Sequence, residues 1–292
     1  MHHRLLAGFF LIWTLLTPAN AATLEEVIDL PVTVRSRFGL EARQNIKVAM
    51  LRDASATGQQ PFLVLGHGRP ANGNFIGYKW QSYRKQAQHF VSRGFVVFIP
   101  LRVGYGETGG IDVEESGHCT SRDYEFSYAV GGIQTRAVVD FARTLPFVAP
   151  ERGVVAGQSF GGTLAIEAAA KNLPGVVATI NFAGGGGGNP EKSPENPCSP
   201  HRLEGLFADY GKTARVPTLW LYSENDRYWG KDLPHAWFAA FTGAGGKGEF
   251  VQLAALTNAD GHLAFSRSMA EWIPHVDTFL RSNGFTERTT GH

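Results

Sequence analysis

The sequence has little sulfur: two cysteines and three methionines in 292 residues. That excludes a disulfide-rich mini-protein and a four-cysteine zinc module. It has no dominant charge either. Lysine and arginine number 27, aspartate and glutamate 26, and the formal net charge is +1. With no basic patch to neutralise phosphates, a nucleic-acid partner has no electrostatic support. Charged residues make up only 18% and hydrophobic ones 43%, enough for a core and too little charge for a disordered tail. Past the N-terminus no stretch approaches the ~18 continuous apolar residues of a membrane span. What is abundant is glycine, 35 of 292 residues, well above the usual ~7%. It follows no Gly-X-Y period, so the chain is not collagen-like.

The N-terminus reads as a secretory signal peptide over residues 1–21. A short positive start ends at Arg4, Leu5 to Leu16 is apolar, and Ala19-Asn20-Ala21 fits an A-x-A cleavage site. Cleavage leaves residues 22–292 as one domain. Arg4 is the one charge removed, so basic and acidic residues are then equal in number. An exported protein without a membrane anchor, periplasmic or secreted, is expected. Export makes a Cys119–Cys198 disulfide the default. The competing possibility is a zinc site of both cysteines with His118 and His201.

Strand-like and helix-like segments alternate along the chain. Val32–Arg35 and Ile46–Met50 alternate with period two about a turn at Gly39, and read as two antiparallel opening strands. Pro61–Leu65, Phe95–Ile99, Gly153–Gly157, Val176–Phe182, Val216–Tyr222 and Phe250–Leu256 read as buried strands. Helices are expected over Trp80–Arg93, 126–145, Phe160–Lys171, 233–242 and 266–281. This order predicts an α/β protein with a mostly parallel sheet and helices on both faces. The stretch from Gly184 to about Arg215 is rich in glycine and proline and is expected to be an irregular, lid-like insertion.

The strongest chemical signal is Gly157-Gln158-Ser159-Phe160-Gly161, a G-x-S-x-G pattern between a short strand and a helix rich in small residues. A serine in this sharp turn lifts its hydroxyl above the sheet. The hydroxyl becomes nucleophilic only when a base takes its proton. The partners should follow in the order acid, then histidine. Asp226 stands past the strand ending at Tyr222, and His262 past the last strand, both where open α/β sheets build their sites. Glu224 is the rival acid. Asp232 reads as a helix N-cap, His235 and His275 as helical histidines, and His89 fits no role. Two backbone N–H groups should face the developing oxyanion. Phe160 is expected to supply one. The Gly66-His67-Gly68-Arg69 loop should supply the other, from Arg69 in preference to Gly68, with His67 a structural loop residue. Arg102 is a candidate for holding a substrate carboxylate, against a favoured structural salt bridge to Glu107 or Asp112. Tyr228 and Trp229 are candidates for the pocket wall, while Trp220 and Tyr222 read as core.

On these residues the chain resembles α/β-hydrolases of the dienelactone hydrolase-like group, close also to prolyl oligopeptidase-like esterases and peptidases. The resemblance runs from about Val32 to Leu280. It rests on His67-Gly68, Arg102-Val103-Gly104-Tyr105-Gly106, the serine elbow, Ser223 to Asp226 and Gly261-His262. It implies an eight-stranded sheet with an antiparallel edge, a Ser159, Asp226, His262 triad, and Phe160 and Arg69 as oxyanion donors. In one respect the chain departs from dienelactone hydrolases proper, which carry cysteine at the elbow. The dienelactone substrate therefore does not carry over.

The expected function is cleavage of small carboxylic esters through an acyl-enzyme. An exopeptidase acting on short peptides is the alternative in the same class. A non-catalytic binding protein on a hydrolase scaffold is the alternative from another class. Serine in place of aspartate at the elbow disfavours a haloalkane dehalogenase. No P-loop or dinucleotide fingerprint is singled out, so no cofactor is implied; no metal is assigned to the site, and oligomeric state stays open.

Overall fold

A computed structural model describes residues 23–286. The signal peptide expected over residues 1–21 lies outside the described residues. The chain opens with two long strands, β1 (Thr23–Arg35) and β2 (Glu41–Asp53), paired antiparallel along their length. In β1 only alternate residues are buried: Leu30, Val32 and Val34. That period-two pattern is what identified its C-terminal half in the sequence. The polar N-terminal half escaped because its side chains are largely exposed.

Six further strands follow: β3 (Gln60–Gly66), β4 (Val96–Leu101), β5 (Val148–Gln158), β6 (Val176–Phe182), β7 (Thr218–Ser223) and β8 (Gly248–Leu253). The sheet order is β1-β2-β4-β3-β5-β6-β7-β8. β2 meets β4 antiparallel, and all pairs from β4 to β8 are parallel. Every residue of β4 and of β7 is buried. Such strands read as continuous apolar runs because helices cover both faces of a parallel sheet.

Helices α1 (Arg84–Ser92) and α7 (Met269–Ser282), the latter preceded by the short α6 (Ala264–Arg267), cover one face. Their Phe90, Trp272, Val276 and Phe279 pack on Leu63, Val97, Ile99 and Leu219. Helices α2 (Tyr124–Ala142) and α3 (Phe160–Ala170) cover the other face. Full burial of each large apolar side chain contributes about 1.5–3 kcal/mol. All eleven residues of α3 are buried. The helix is rich in alanine and glycine because it is wedged between the sheet, α2 and the next helix.

The stretch expected to be irregular divides at Ser199. Residues 184–199 form a loop, and Pro200–Thr213 is helix α4. Its Leu203, Leu206, Phe207 and Tyr210 are buried, the i, i+3, i+4, i+7 spacing of an amphipathic helix. α4 packs with α5 (Asp232–Gly243) and α3 around Trp220 and Trp237. Only the first half is therefore loop. Its end is fixed by a disulfide between Cys119 and Cys198, whose Cα atoms are 4.8 Å apart. With both sulfurs joined to each other, neither remains as a thiolate for the alternative zinc site. Among the described residues no helix is long and apolar enough to cross a membrane.

Candidate active site

β5 ends at Gln158 and α3 begins at Phe160, so Ser159 alone makes the turn between them. Its backbone sits at φ 58°, ψ −123°, a region costly for any residue with a Cβ. The turn is so tight that a Cβ on Gly157 would lie 2.2 Å from the Gly161 carbonyl oxygen. One on Gly161 would lie 2.3 Å from the Gly66 carbonyl oxygen. Only glycine fits either position, which is the physical content of the motif. The Ser159 N–H donates to the Phe182 carbonyl at 2.9 Å, tying the turn to β6.

Asp226 follows β7 and is fully buried. Its Oδ1 accepts from the Tyr228 and Trp229 N–H groups at 2.8 and 3.3 Å. Its Oδ2 lies 2.9 Å from Nδ1 of His262. The rival, Glu224, points outward to Lys231 at 3.0 Å. His262 is 4% exposed. Tyr228 stacks on its ring at 3.9 Å between centroids, and Trp229 meets it edge-on. The other histidines lie elsewhere: His89 near Asp277, His235 near Gln252. Burial lowers the His89 pKa, partly offset by Asp277. Asp232 stands in the first turn of α5 rather than at its cap, which is Lys231.

Two residues that join the acid loop to the histidine loop were not singled out from the sequence. Asn225 accepts from the Leu256 N–H through Oδ1, and donates through Nδ2 to the Leu256 and Ala259 carbonyls. Asp260 accepts through Oδ1 from both the His262 and Arg227 N–H groups, each at 2.9 Å. Gly261 lies between them, where a Cβ would come 2.7 Å from the Asp226 nitrogen. The spacing Ser-Glu-Asn-Asp was visible, but Asn225 carries no charge and gave no catalytic signal.

The loop after β3 approaches the elbow closely. A Cβ on Gly68 would be 3.1 Å from Cβ of Ser159. The Gly68 N–H donates to the Tyr83 hydroxyl at 3.3 Å. The N–H groups of Arg69 and Phe160 take no acceptor among the described residues. Of the two loop donors considered, Arg69 thus has the free N–H.

Arg102 requires correction as a pocket residue. It is 1% exposed and sits on Glu114, which is fully buried, with Nε 2.6 Å from Oε1. Neither Glu107 nor Asp112 is its partner; Asp112 instead takes the Arg69 guanidinium in a two-pronged pair. The other prongs of Arg102 donate to the His67 carbonyl at 2.8 Å and the Gly68 carbonyl at 3.3 Å. His67 completes the cradle. Its Nε2 accepts from the Arg102 N–H, so Nδ1 carries the proton and donates to the Gly68 carbonyl at 2.7 Å. Burial, reinforced by the Arg102 charge, holds the His67 pKa well below the usual value, so the ring stays neutral. In a trans peptide the C=O and N–H point opposite ways. Two donors fixing the Gly68 carbonyl therefore aim the Arg69 N–H away from the cradle, and they polarise it.

Ser159, Phe160 and Arg69 line a cavity of about 530 Å³. Tyr228 and Trp229 stand in its wall, joined by Tyr124, Tyr128 and the run Gly185–Gly188. The glycines are thin for a reason: a Cβ on Gly185 or Gly188 would strike the Trp229 ring. Cys119 and Cys198 lie in the same wall. The letters Gly104-Tyr105-Gly106-Glu107-Thr108-Gly109 have G-x-G-x-x-G spacing, yet they lead into a 3-10 turn and an irregular stretch, not a helix. They lack the context of a dinucleotide site.

Similar proteins agree with this architecture. A dienelactone hydrolase-assigned protein from Klebsiella pneumoniae superposes with a TM-score of 0.57 at 18% identity, covering 89% of this chain and 97% of its own. Esterase 2 of Thermogutta terrifontis gives 0.59 at 16% identity, covering 90% and 95%. Its butyrate-bound form gives 0.58 at 16%, covering 90% and 96%. At these identities the likeness is one of fold. No curated protein matches the sequence. Residues 73–237, more than half of the chain, match the dienelactone hydrolase family. The chain belongs to the dienelactone hydrolase family of α/β-hydrolases.

Proposed function

We propose that the protein is an exported serine hydrolase of carboxylic esters. The observation that carries this is the buried Asp226–His262 pair, on a loop whose His262 carbonyl accepts from Gln158, the residue before a serine held in a strained elbow. In the proposed mechanism Ser159 Oγ attacks the ester carbonyl carbon as His262 Nε2 takes its proton. Asp226 holds the ring through Nδ1 and stabilises the imidazolium. The N–H groups of Phe160 and Arg69 receive the oxyanion, each donor contributing about 3–4 kcal/mol. The intermediate collapses, the C–O bond to the alcohol breaks, and His262 returns its proton to the departing oxygen. Water then attacks the acyl-enzyme by the same steps in reverse roles and releases the acid.

Tabun-modified and paraoxon-modified forms are known for the Thermogutta esterase, and Ser159 is expected to react in the same way. The exopeptidase alternative needs a carboxylate to grip the substrate ammonium group. Neither cavity beside the site is lined by aspartate or glutamate, which favours the ester reading. The N-terminal segment and the disulfide support export. A panel of chromogenic acyl esters, with aminoacyl arylamides beside it, tests the proposal. Turnover of esters by the wild type and its loss in Ser159→Ala are expected. Equal turnover by the two proteins, or preferential arylamide cleavage, would overturn it.

A further inference from the structure

A second cavity, of about 280 Å³, adjoins the site on the histidine side. It is lined by His262 and Gln158, with Tyr78, Tyr83, Leu263 and Phe265 as walls. Apart from His262, no ionisable side chain other than the two tyrosines faces it. The larger cavity differs in kind: it contains the cations Arg69, Arg122 and Lys192 among its lining. The smaller one also has apolar material standing open. Leu263, in its lining, is 36% exposed. Apolar side chains left facing water beside a site fit an apolar ligand group.

We propose that the smaller cavity is the leaving-group site, and that it selects esters of uncharged aromatic alcohols. The assignment rests on the ester-hydrolase reading and on how the reacting atoms are distributed. Ser159 and both oxyanion donors line the larger cavity; His262 lines the smaller one. The carbonyl oxygen must face the donors, and the departing oxygen must face the nitrogen that returns its proton. The alcohol therefore lies on the His262 side, and the acyl chain takes the larger cavity. About 150 Å³ holds a benzene ring, so the smaller cavity accommodates a substituted or fused aromatic ring. Tyr78, Tyr83 and Phe265 give it an aromatic lining suited to such a ring.

The test uses two obstructions on different segments of the wall, Ser82→Trp and Ser266→Trp; both serines are exposed and line the cavity. Methyl and 2-naphthyl esters of one acid are compared. In both variants the ratio of kcat/KM, naphthyl over methyl, is expected to fall at least tenfold. The deacylation rate constant should be retained, because the alcohol has already left the acyl-enzyme. An unchanged ratio, or a loss that follows acyl length instead, would overturn the assignment. If the wild type cleaves neither ester and a fluorophosphonate fails to label Ser159, the ester reading itself has failed and the assignment falls with it. Failure in the variants alone, with the wild type active, concerns the cavity only.

Discussion

Glu167 has no part in the chemistry, and it makes stability depend on pH in a calculable way. It sits in α3, 3% exposed, with Oε2 lacking any hydrogen-bond partner among the described residues. Space for its carboxyl exists because α2 carries glycine opposite: a Cβ on Gly132 would lie 2.5 Å from that oxygen. Burial pushes its pKa from an ordinary 4.5 up to about 7, and the Lys171 charge offsets only part of the shift. The folded state thus binds the proton more tightly than the unfolded state. Its contribution is full below about pH 4.5 and is lost as pH rises through 7. At about 1.4 kcal/mol per tenfold difference in proton affinity, the loss amounts to about 3 kcal/mol. Glu167→Gln keeps the shape and removes the ionisation. It should leave stability near wild type at pH 4.5 and raise it by about 3 kcal/mol at pH 8.5. In a domain of this size that is roughly 5–10 °C in Tm. Thermal unfolding of both proteins at each pH measures it, since other titrating groups cancel in the difference. The same variant-minus-wild-type difference at both pH values would show that the Glu167 proton affinity does not change on folding.

Further outcomes follow from the site. Asp226→Asn should lower kcat by about 10⁴ by presenting the wrong tautomer of His262, measured in steady state. Arg102→Met should lower kcat by about 10²-fold with KM little changed, because freeing the Gly68 carbonyl misaims one oxyanion donor. A trifluoromethyl ketone should then lose affinity in step with kcat, whereas a purely structural role would lower Tm without that correlation. Cys119→Ser with Cys198→Ser opens a loop with a sequence separation of 79. It should cost about 4 kcal/mol in denaturant unfolding in the chain-entropy model.

Much of this was legible in the sequence because the physics was local. A serine between glycines at a strand–helix turn has few other reasons to exist, and the sheet strands announced themselves as unbroken apolar runs. The expected export and the even cysteine count favour a Cys119–Cys198 disulfide over the zinc alternative, and the two sulfurs are joined. The rest depended on distance. The sequence offers Arg102 only near neighbours, yet its partner is Glu114, carried there by a loop whose path no pattern reveals. Asn225 and Asp260 matter through backbone groups on another loop, which no side-chain motif records. Helix α4 was missed for a different reason. Leu203, Leu206, Phe207 and Tyr210 have helical spacing, but the glycine and proline run before them weighted the whole stretch toward loop.

In the proposed mechanism Ser159 is a nucleophile activated by His262 and Asp226. A fluorophosphonate probe followed by intact-mass and peptide analysis tests it most directly. One adduct per chain is expected, located on Ser159, absent in Ser159→Ala and formed far more slowly in His262→Ala. Labelling of another residue, or an equal rate without His262, would contradict it.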